Sequence, residues 1–491
     1  MRRMRWFVVA LLAALTLPSV AAAHNPSLYS GATWFSKYQV VSSSTPVCTG
    51  NVGEGPQLAF ANNVDASHEC GSQSETSIAI NPAHANNVVA GSNEIQRLPM
   101  RGMASFDGGK TFTGVDLPLP PPLVNNGSDF GSDPSVAFDA AGNLYYGYII
   151  VFFGAGNGIN GSEMAVAHSS DGGLTWTATY FNPQTGQGQF NDKPYVAVDN
   201  NPSSPFFGRV YAAWDNASGG NGKPSSDKNG NNLLVSFSDD HGASFSPPVI
   251  ASPFVKGGTG AIAADPFVAP NGTLHVAWLD YVHSLLAESS STDGGQTFGP
   301  PHVISFTQIP FDIDLPSINV RGALVYPTCG ASEGSLYCSW FDGSLAGGTD
   351  VLFSKSTDGG HQWSPGVPVT TDPPGQVTDQ FYPWLAVDPS NGSINISYYD
   401  TRNDPTRKAT DVFLARSTNG GASFATQQVT NAPTDETCCS PSVNLGNQYG
   451  DYEGLAAFGG IVRPVWTDRR QAVIDLGLRE EVFTAGLSFG P

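Results

Sequence analysis

The stretch Ser291–Phe298, with the sequence STDGGQTF, decides the fold because the chain contains five further copies of its pattern. The pattern is Ser-x-Asp-x-Gly-x-x-(Phe/Trp), and the other copies are Ser105–Phe112, Ser169–Trp176, Ser238–Phe245, Ser356–Trp363 and Ser417–Phe424, where Asn419 replaces the aspartate. The third positions of the six copies are separated by 64, 69, 53, 65 and 61 residues. Such even spacing indicates a repeat architecture.

Each residue of the repeated turn has a physical role. The Asp or Asn side chain can accept hydrogen bonds from backbone amides within its own turn, and glycine takes positive φ at little cost. The aromatic residue at the end is placed to pack into the core between neighbouring sheets. These roles are structural, so Asp107 and its equivalents are not predicted to be catalytic.

Alternating apolar and β-branched residues around each turn predict four strands per repeat, in the order A, B, C, turn, D. In the sixth repeat they are Tyr382–Val387, Ser393–Tyr399, Asp411–Ser417 and a strand near Thr426–Val429. The five earlier repeats are predicted to begin near Glu75, Asp133, Lys193, Asp265 and Leu315.

A seventh repeat starts at Tyr452, continues through Ile461–Asp468 and has a third strand near Glu481–Leu487, but it lacks the turn and a fourth strand. The segment Trp34–Val41 is predicted to supply that strand and to close the ring. Radial repetition of four-stranded sheets predicts an all-β fold, a seven-bladed β-propeller, with six blades as the alternative count.

The composition excludes two broad classes of protein. The formal net charge of −20 and the lack of clustered Lys and Arg argue against a nucleic-acid-binding protein, since phosphate contact needs basic clusters. With 40% hydrophobic and 11% aromatic residues, the chain can bury a large core and is not predicted to be disordered. Its 56 Gly and 37 Pro residues in 491 predict many turns.

Residues 1–23 are predicted to be a secretory signal peptide, with three basic residues, an apolar run from Trp6 to Leu17 and small residues at 21–23. Residues 24–74 then form an N-terminal extension and residues 75–491 the propeller. No later segment is long and apolar enough to predict a membrane span. The mature protein is therefore expected to be a secreted monomer, extracellular or periplasmic.

The six cysteines fit an oxidising compartment. Cys48 with Cys70 and Cys329 with Cys338 are candidate disulfides, and Cys438 and Cys439 pair with each other or with distant partners. Six cysteines allow 15 connectivities, so the pairing stays open. The Cys and His residues show no zinc-ligand spacing, and no metal site is predicted from them.

The repeated turn resembles the Asp-box of sialidases and of their relatives with bacterial neuraminidase repeats. The similarity covers the chain from about residue 75. It implies a β-propeller, but propellers with this box include sialidases, xyloglucan-cleaving enzymes, photosystem assembly factors and sorting receptors. The resemblance therefore indicates the superfamily better than the activity.

The resemblance also implies a set of site residues for a true sialidase. These are an Arg-Ile-Pro motif at the first blade, three arginines for the sialic acid carboxylate, a Tyr nucleophile with a Glu partner, and an Asp acid/base. Here the first blade opens with Ser74-Glu75-Thr76-Ser77, and the nearest match, Arg97-Leu98-Pro99, follows the second strand. Sialidases also usually have six blades, so the sequence departs from the orthodox pattern.

Propeller topology places the repeated turns on one face, and the B–C loops with the starts of the A strands on the other. Acidic residues recur at or just before each strand A: Glu75, Asp133, Asp192, Asp265, Asp314, Asp379 and Asp451. Because each blade contributes one of these acidic residues, we interpret the ring first as structural. The alternative is that the ring binds a hard cation such as calcium. Five further aspartates end the B strands and take the same interpretation: Asp215, Asp280, Asp342, Asp400 and Asp468.

Six arginines fall in the predicted B–C loops of blades one, six and seven, which meet where the ring closes: Arg97, Arg101, Arg402, Arg407, Arg469 and Arg470. Guanidinium groups bind carboxylates and sulfates bidentately, so this cluster predicts a substrate-binding site for an anion. The alternative is that Arg402 and Arg469 form local salt bridges with Asp400 and Asp468.

The segment Asn447–Gly454 leads into strand A of blade seven and offers Tyr449, Asp451, Tyr452 and Glu453. A phenol beside a carboxylate base is the arrangement that sialidases use for their nucleophile, since the base takes the phenol proton. Either tyrosine is therefore a candidate nucleophile.

Glu75 and Glu94, in the adjacent first blade, are the candidate base or acid. With Tyr449, Tyr452, Asp451 and Glu453 they make up the predicted catalytic set.

Three functions remain open at this point. The first is a sialidase-like glycoside hydrolase acting on an anionic glycan that carries sialic or uronic acid. The second is a non-catalytic propeller that binds glycan or protein at the cell surface. The third is a hydrolase of neutral polysaccharide that uses two carboxylates.

Overall fold

The structure, a computed structural model, describes residues 37–38, 59–60, 62–68, 71–121, 129–153, 159–185, 189–218, 231–252, 260–318, 321–344, 347–437, 448–470 and 480–490. The predicted signal peptide, the predicted Cys48–Cys70 pair, Cys438 and Cys439 lie outside these residues, so those predictions are not addressed by it.

Seven antiparallel sheets form a propeller, which confirms the predicted fold and blade count. Two short strands come first in the chain, β1 Ala59–Phe60 and β2 Asn63–Asp65. Blade one contains β3 Gln73–Ile80, β4 Val88–Glu94, β5 Arg101–Ser105 and β6 Thr113–Asp116. Blade two contains β7 Phe130–Phe138, β8 Leu144–Phe153, β9 Ile159–Ser169 and β10 Thr177–Thr185. Blade three contains β11 Gln189–Val198, β12 Val210–Ser218, β13 Asn232–Ser238 and β14 Val249–Ile250.

Blades four, five and six repeat this order. Blade four contains β15 Ala261–Val268, β16 Leu274–Asp280, β17 Leu285–Ser291 and β18 His302–Phe306, and a hairpin of β19 Asp312–Ile313 and β20 Ala323–Leu324 follows it. Blade five contains β21 Thr328–Ser332, β22 Ser335–Gly343, β23 Thr349–Ser356 and β24 Val367–Pro368. Blade six contains β25 Gln380–Val387, β26 Ile394–Asp400, β27 Asp411–Ser417 and β28 Ala425–Gln428. Blade seven contains β29 Gly454–Phe458, β30 Ile461–Asp468, β31 Glu481–Ala485 and β32 Leu487–Ser488. In this blade, by contrast, β32 pairs with β30 and the outer strand is β2.

Burial identifies the inner and outer strands of each blade. The first strand of blade one, β3, is buried along its whole length, whereas the fourth strand of blade six, β28, is exposed at every residue. The space between blades is filled by tryptophans that recur on the second strands, and Trp214, Trp340 and Trp466 are almost completely buried. Their burial contributes much of the apolar area that stabilises the ring.

The repeated turn has the geometry that its residue types predict. In blade one the Ser105 hydroxyl accepts a hydrogen bond from the Gly109 amide at 2.8 Å. Asp107 accepts one from the Thr111 amide at 3.0 Å and another from the Thr111 hydroxyl at 2.7 Å. The first glycine, Gly108, has a φ of 77°, which a side chain would disfavour. The turn therefore closes with bonds made inside itself.

The same turns also join neighbouring blades. Four side chains donate to the carbonyl of the first glycine in the next turn: Asn87 to Gly172 at 3.1 Å, Arg209 to Gly294 at 2.7 Å, Lys355 to Gly420 at 3.3 Å, and Arg463 to Gly108. The last of these bonds links blade seven to blade one. Each bond satisfies a carbonyl that the tight turn leaves without a partner in its own sheet.

The ring closes through an N-terminal strand, but the predicted segment was wrong. The outer strand of blade seven is Asn63–Asp65, which pairs with β31, and not Trp34–Val41. The Asn63 side chain also donates to the Val429 carbonyl of blade six at 3.1 Å, so the strand is held on both sides. Of the predicted segment, Lys37 and Tyr38 are described. The buried Lys37 ammonium donates to the carbonyls of Leu98 and Gly131 between blades one and two.

The predicted start of blade five at Leu315 was also wrong, because the hairpin of β19 and β20 intervenes and the inner strand begins at Thr328. Asp314 therefore lies in that hairpin and not at the start of an inner strand. The predicted Cys329–Cys338 disulfide is present and joins the first two strands of blade five.

Candidate functional site

A bulge in the inner strand recurs in five blades and aims side chains toward the centre of the ring. In blades one, two, three, four and six the pairing between the first two strands shifts by one residue near the start of the inner strand. The residue at each shift has a positive φ, and none is glycine: Glu75, Asp133, Lys193, Ala263 and Tyr382. Such conformations cost about 1–3 kcal/mol each and are concentrated at functional sites.

Five charged side chains meet at the centre, and we call Glu75, Asp133, Lys193, Arg321 and Asp451 the axial cluster. Asp451 binds Lys193 with one carboxylate oxygen and Arg321 with the other. Its backbone amide donates to Glu75 at 2.8 Å, and Arg321 lies 3.8 Å from the same Glu75 oxygen. Glu75 and Asp451, predicted from the sequence as catalytic candidates, are therefore brought together.

Several carboxylates of the predicted acidic ring bond the backbone of a neighbouring blade. Asp133 accepts from the Lys193 amide at 3.2 Å and Asp265 from the Cys329 amide at 2.5 Å. Asp215, which ends a second strand, accepts from the Ala263 amide at 3.1 Å. This is the structural role that the sequence indicated first for these recurrent acids.

Asp133 and Asp192 form a buried pair whose pKa values are pushed in opposite directions. Burial, together with the neighbouring Asp133 carboxylate, raises the pKa of Asp192 well above its usual value. Burial acts on Asp133 too, but the charge of Lys193 and hydrogen bonds from Asp192 and Ser132 keep its pKa low. Of the two, Asp192 is therefore the group that keeps its proton more readily and Asp133 the group that ionises more readily.

Two further carboxyl groups beside this pair are neutral at pH 7. Burial raises the pKa of Asp215 to about 8 and that of Asp265 to about 8, although each accepts a backbone hydrogen bond that favours ionisation. Asp215 and Asp265 therefore keep protons at a pH at which exposed carboxyl groups would have lost them.

Tyr452, one of the two predicted nucleophiles, lies in an aromatic group on the same axis. Its ring centroid is 5.3 Å from that of Tyr195 and 5.7 Å from that of Tyr326, and the Lys193 ammonium lies 5.9 Å from its centre. Burial, and then the charges of neighbours that include Glu75, raise the pKa of Tyr452 well above its usual value. Its phenol therefore needs a base to lose its proton.

The side chains of Tyr449 and Glu453 contact residues of blades six, seven and one. The Tyr449 ring is 4.5 Å from that of Tyr399, and its hydroxyl shares a 3.0 Å hydrogen bond with Thr410. Glu453 accepts from the Thr76 and Tyr399 hydroxyls and from the Thr467 amide at 3.1 Å. Burial raises the pKa of Glu453 to about 8 despite these donors.

Glu94 is the last residue of β4 and accepts hydrogen bonds from Gln73 at 3.1 Å and Ser92 at 2.8 Å. Its charge also acts on Lys37, whose pKa burial lowers to about 7. Glu94 is thus a residue of blade one whose charge acts on Lys37 of the N-terminal segment.

The predicted substrate-binding arginines each have a carboxylate or a carbonyl close at hand. Arg402 binds Asp400 at 2.8 Å, Arg407 binds Asp379 at 2.8 Å and Arg470 binds Asp468 at 2.9 Å. Arg97 and Arg101 contact Asp116 at 3.5 and 2.9 Å, and Arg101 begins strand β5 instead of lying in a loop.

Arg469 donates to the Glu436 carbonyl at 3.1 Å. The local pairing expected as the alternative is thus present for Arg402, whereas Asp468 binds Arg470 and not Arg469. A common anion pocket of these arginines stays a prediction.

Sequence reasoning missed Lys193 and Arg321 as members of the site. Lys193 follows Asp192 at the position where blades one and two carry Glu75 and Asp133, so a cation within an acidic ring was the available signal. Arg321 comes from the connection between β19 and β20, and no repeat predicts its position. Its convergence with Asp451 depends on the closed ring.

Neither a metal site nor a membrane-spanning helix is present among the described residues. Within these ranges, no three Asp, Glu, His or Cys side chains are arranged to hold a metal ion. No helix among the same residues has the length and hydrophobicity needed to cross a bilayer.

No family model matches the chain, and no curated protein matches it. Solved structures similar to it include the intramolecular trans-sialidase of Ruminococcus gnavus, 15% identical over 73% of this chain and 94% of that one, with a TM-score of 0.46. The leech intramolecular trans-sialidase is 14% identical over 90% and 98% of the two chains, with a TM-score of 0.46. The NanB sialidase of Streptococcus pneumoniae is 12% identical over 91% and 99%, with a TM-score of 0.43. All three neighbours are sialidases or trans-sialidases, and at these identities and TM-scores they assign neither a family nor a reaction to this chain, whose seven-bladed propeller is defined by its own sheets.

Proposed function

We propose that the protein is a glycoside hydrolase that acts on an anionic glycan at the axial cluster. The observation that carries this proposal is the buried Asp133–Asp192 pair, in which the pKa of Asp192 is raised and that of Asp133 is lowered. Glycoside hydrolysis needs this combination, since an acid must protonate the leaving oxygen while an anion stabilises the positively charged sugar.

The roles of the other residues follow from their chemistry. Asp192 gives its proton to the leaving oxygen as the glycosidic bond breaks. Tyr452 attacks the sugar carbon, and its phenol proton passes to Glu75, whose charge already acts on that phenol. Water then cleaves the tyrosyl intermediate: Asp192 takes a proton from the water, and Glu75 returns its proton to the leaving Tyr452 oxygen.

An anionic substrate is supported by the two cations of the cluster, Lys193 and Arg321. Both are buried, so they attract a carboxylate more strongly than exposed cations do. All five side chains of the cluster are buried in this structure, so the proposal requires that substrate binding opens the cluster. Secretion, a monomeric state and a structural calcium ion remain parts of the proposal that rest on the sequence.

The experiment is a substrate screen with purified protein. Fluorogenic sialosides, uronic-acid glycans and neutral β-glucans are tested with the wild type and with the Asp133→Asn variant. We expect release from an anionic substrate, and a loss of about 100-fold or more in the variant. Asp265→Asn is the matched control, because Asp265 is buried in the same ring but is already neutral.

Thermal unfolding of both variants shows whether they are folded. Equal turnover by the wild type and a folded Asp133→Asn variant would contradict the proposal. Cleavage of the neutral β-glucans alone would favour the hydrolase of neutral polysaccharide.

A second candidate is a non-catalytic propeller that binds glycan or protein. The observation that favours it is the local pairing of Arg402, Arg407 and Arg470, which occupies the groups expected to hold a substrate. Retention on immobilised glycans without turnover on any substrate would support it.

A further inference from the structure

We propose that Lys193 and Arg321 form a carboxylate-binding site, and that the carboxylate of Asp451 occupies this site in the absence of a ligand. The inference rests on the proposed function for the place of the site, but it concerns binding and not turnover. It assigns Asp451 as an internal substitute for the ligand, so that a bound ligand exchanges with it.

The three groups come from separate parts of the fold. Lys193 lies at the bulge of β11 in blade three, Arg321 in the connection between β19 and β20, and Asp451 just before β29 in blade seven. Lys193 and Asp451 are 258 residues apart in the chain. The site therefore exists only in the closed ring, unlike the pairs Arg402–Asp400 and Arg470–Asp468, whose members are two residues apart.

Both oxygens of the one carboxylate are used, one by the ammonium and one by the guanidinium. The side chains of Lys193, Arg321 and Asp451 are 1%, 5% and 4% exposed. Two buried cations without an anion between them are strongly unfavourable, so the site requires a carboxylate from some source.

Charge balance allows that source to change. The two cations of the axial cluster lie among three carboxylates, Asp451, Glu75 and Asp133, and Glu75 lies 3.8 Å from Arg321. In Asp451→Ala, a ligand carboxylate replaces the anion that the substitution removes, so neither cation is left without an anion in the interior. In the wild type, the displaced Asp451 carboxylate has to gain a proton or other donors when a ligand binds.

The backbone around Asp451 is held independently of its carboxylate. Its amide donates to Glu75 at 2.8 Å, and the Tyr449 carbonyl accepts from the Glu75 amide at 3.3 Å. The preceding residue, Gly450, has a φ of 78° and packs against Glu75, where a Cβ would come within 2.2 Å of the Glu75 side chain. The carboxylate can thus be removed while the chain stays in place.

The experiment is chemical rescue of Asp451→Ala by sodium acetate, followed by thermal unfolding. We expect the melting temperature to fall by about 5–10 °C in the variant. Acetate should restore at least half of that loss at a concentration on the order of 10 mM, because it binds only the folded state. Sodium chloride at equal ionic strength is the salt control, and sodium glucuronate and N-acetylneuraminate are the larger carboxylate probes.

Asp379→Ala is the matched control variant. Asp379 is also buried and forms an ion pair with an arginine, Arg407, but this pair lies outside the axial cluster. The control variant should lose stability and show no rescue beyond that by chloride. If Asp451→Ala does not fold, Asp451→Ser is tested by the same criterion, because its hydroxyl leaves room for acetate.

Acetate that fails to stabilise the folded variant more than chloride, or that rescues Asp379→Ala equally, would overturn the inference. A variant as stable as the wild type would overturn it as well. Rescue by carboxylates together with a substrate screen that finds no turnover would keep this site and remove the hydrolase. Turnover without rescue would do the reverse.

Discussion

The repeated turns and the buried positions near the axis both carry recurrent aspartates, yet the pKa values of Asp240 and Asp215, one from each region, are shifted in opposite directions. In the turn of blade three, hydrogen bonds from Ser244 and Ser238 lower the pKa of Asp240 to about 2. At the axis, burial raises the pKa of Asp215, in the same blade, to about 8. The difference teaches that recurrence of a residue type reveals a shared position but not a shared charge. The number of polar donors and the depth of burial decide the charge.

The two regions also differ in the sequence distance between the residues that bond each other. The turn residues bond within a few positions of one another, as Ser105, Asp107 and Thr111 do. The axial residues bond across blades, as Asn93 does when its side chain accepts from the Asp133 amide at 2.8 Å. A turn can therefore form early and alone, whereas the axial cluster needs the complete ring.

The largest expected effect is a loss of turnover in Asp192→Asn that is not accompanied by a loss of stability. Because burial and the neighbouring Asp133 raise the pKa of Asp192 well above its usual value, its neutral form is favoured, and Asp192→Asn should change the free energy of unfolding by less than about 1 kcal/mol. If Asp192 is the general acid, turnover should fall by about 100- to 10,000-fold. The loss should be smaller for aryl glycosides with acidic leaving groups, which need no proton.

Steady-state kinetics on aryl glycosides of graded leaving-group pKa, with thermal melts of the same samples, measure both effects. An equal loss of rate with every leaving group would remove Asp192 from the acid role. A strongly destabilised variant would show instead that Asp192 is ionised in the folded state.

The next effect concerns the pH dependence of stability. Asp215, Asp265 and Glu453 have pKa values of about 8 in the folded state, so the native protein binds more protons than the unfolded chain between about pH 4 and pH 8. Stability should therefore be greatest near the lower limit and fall as pH rises, by up to about 1.4 kcal/mol per pH unit for each group. Below about pH 4 the turn aspartates, with Asp240 as the example, should reverse the trend as they gain protons.

Chemical denaturation between pH 3 and pH 9 locates this maximum. A stability that rises steadily from pH 5 to pH 9 would show that the axial carboxyl groups are not protonated in the folded protein.

Most of the fold could be predicted from the sequence because its signals are local. The spacing of the repeated turns gave the blades, and strand C of blade six was predicted as Asp411–Ser417, where it is found. The closing strand could not be found this way, since Asn63–Asp65 is three residues long and carries no alternation. Its partner, β31, lies more than 400 residues later, so only the closed ring specifies the pairing.

The site was predictable only in part for the same reason. Glu75 and Asp451 were found because they recur at the starts of inner strands, and they do contact each other. Arg321 belongs to the β19–β20 hairpin, which has no counterpart in the other blades, and its partner comes from blade seven. The protonation of Asp192 depends on burial and on Asp133, and neither can be read from spacing.

A smaller effect compares the same substitution in both regions of blade three. Asp240→Asn removes an anion that accepts from the Ser244 amide and hydroxyl, so it should lower stability by about 1 kcal/mol at pH 7. Asp215→Asn should leave stability unchanged at pH 5 and raise it at pH 9, because the amide removes the cost of keeping a carboxyl protonated. Urea denaturation at the two pH values measures both variants. The contrast between the regions fails if both variants change in parallel with pH.

The smallest effect comes from the one described turn of the six in which asparagine replaces aspartate. In the turn of blade six, Asn419 accepts from the Ser423 amide at 3.1 Å and donates to the Ser423 hydroxyl at 2.9 Å. In Asn419→Asp the carboxylate would instead accept from that hydroxyl, as Asp240 does from Ser244 at 2.6 Å.

Charge-assisted hydrogen bonds are stronger than neutral ones, but the turn is exposed, so we expect a gain of about 0.5 kcal/mol at pH 7. The gain should be present above about pH 4 and disappear toward pH 2, because the folded-state pKa of such a carboxyl is lowered. Urea denaturation at pH 7 and pH 3 tests this, and an Asp variant that is no more stable than the wild type at pH 7 would show that the turn gains nothing from charge.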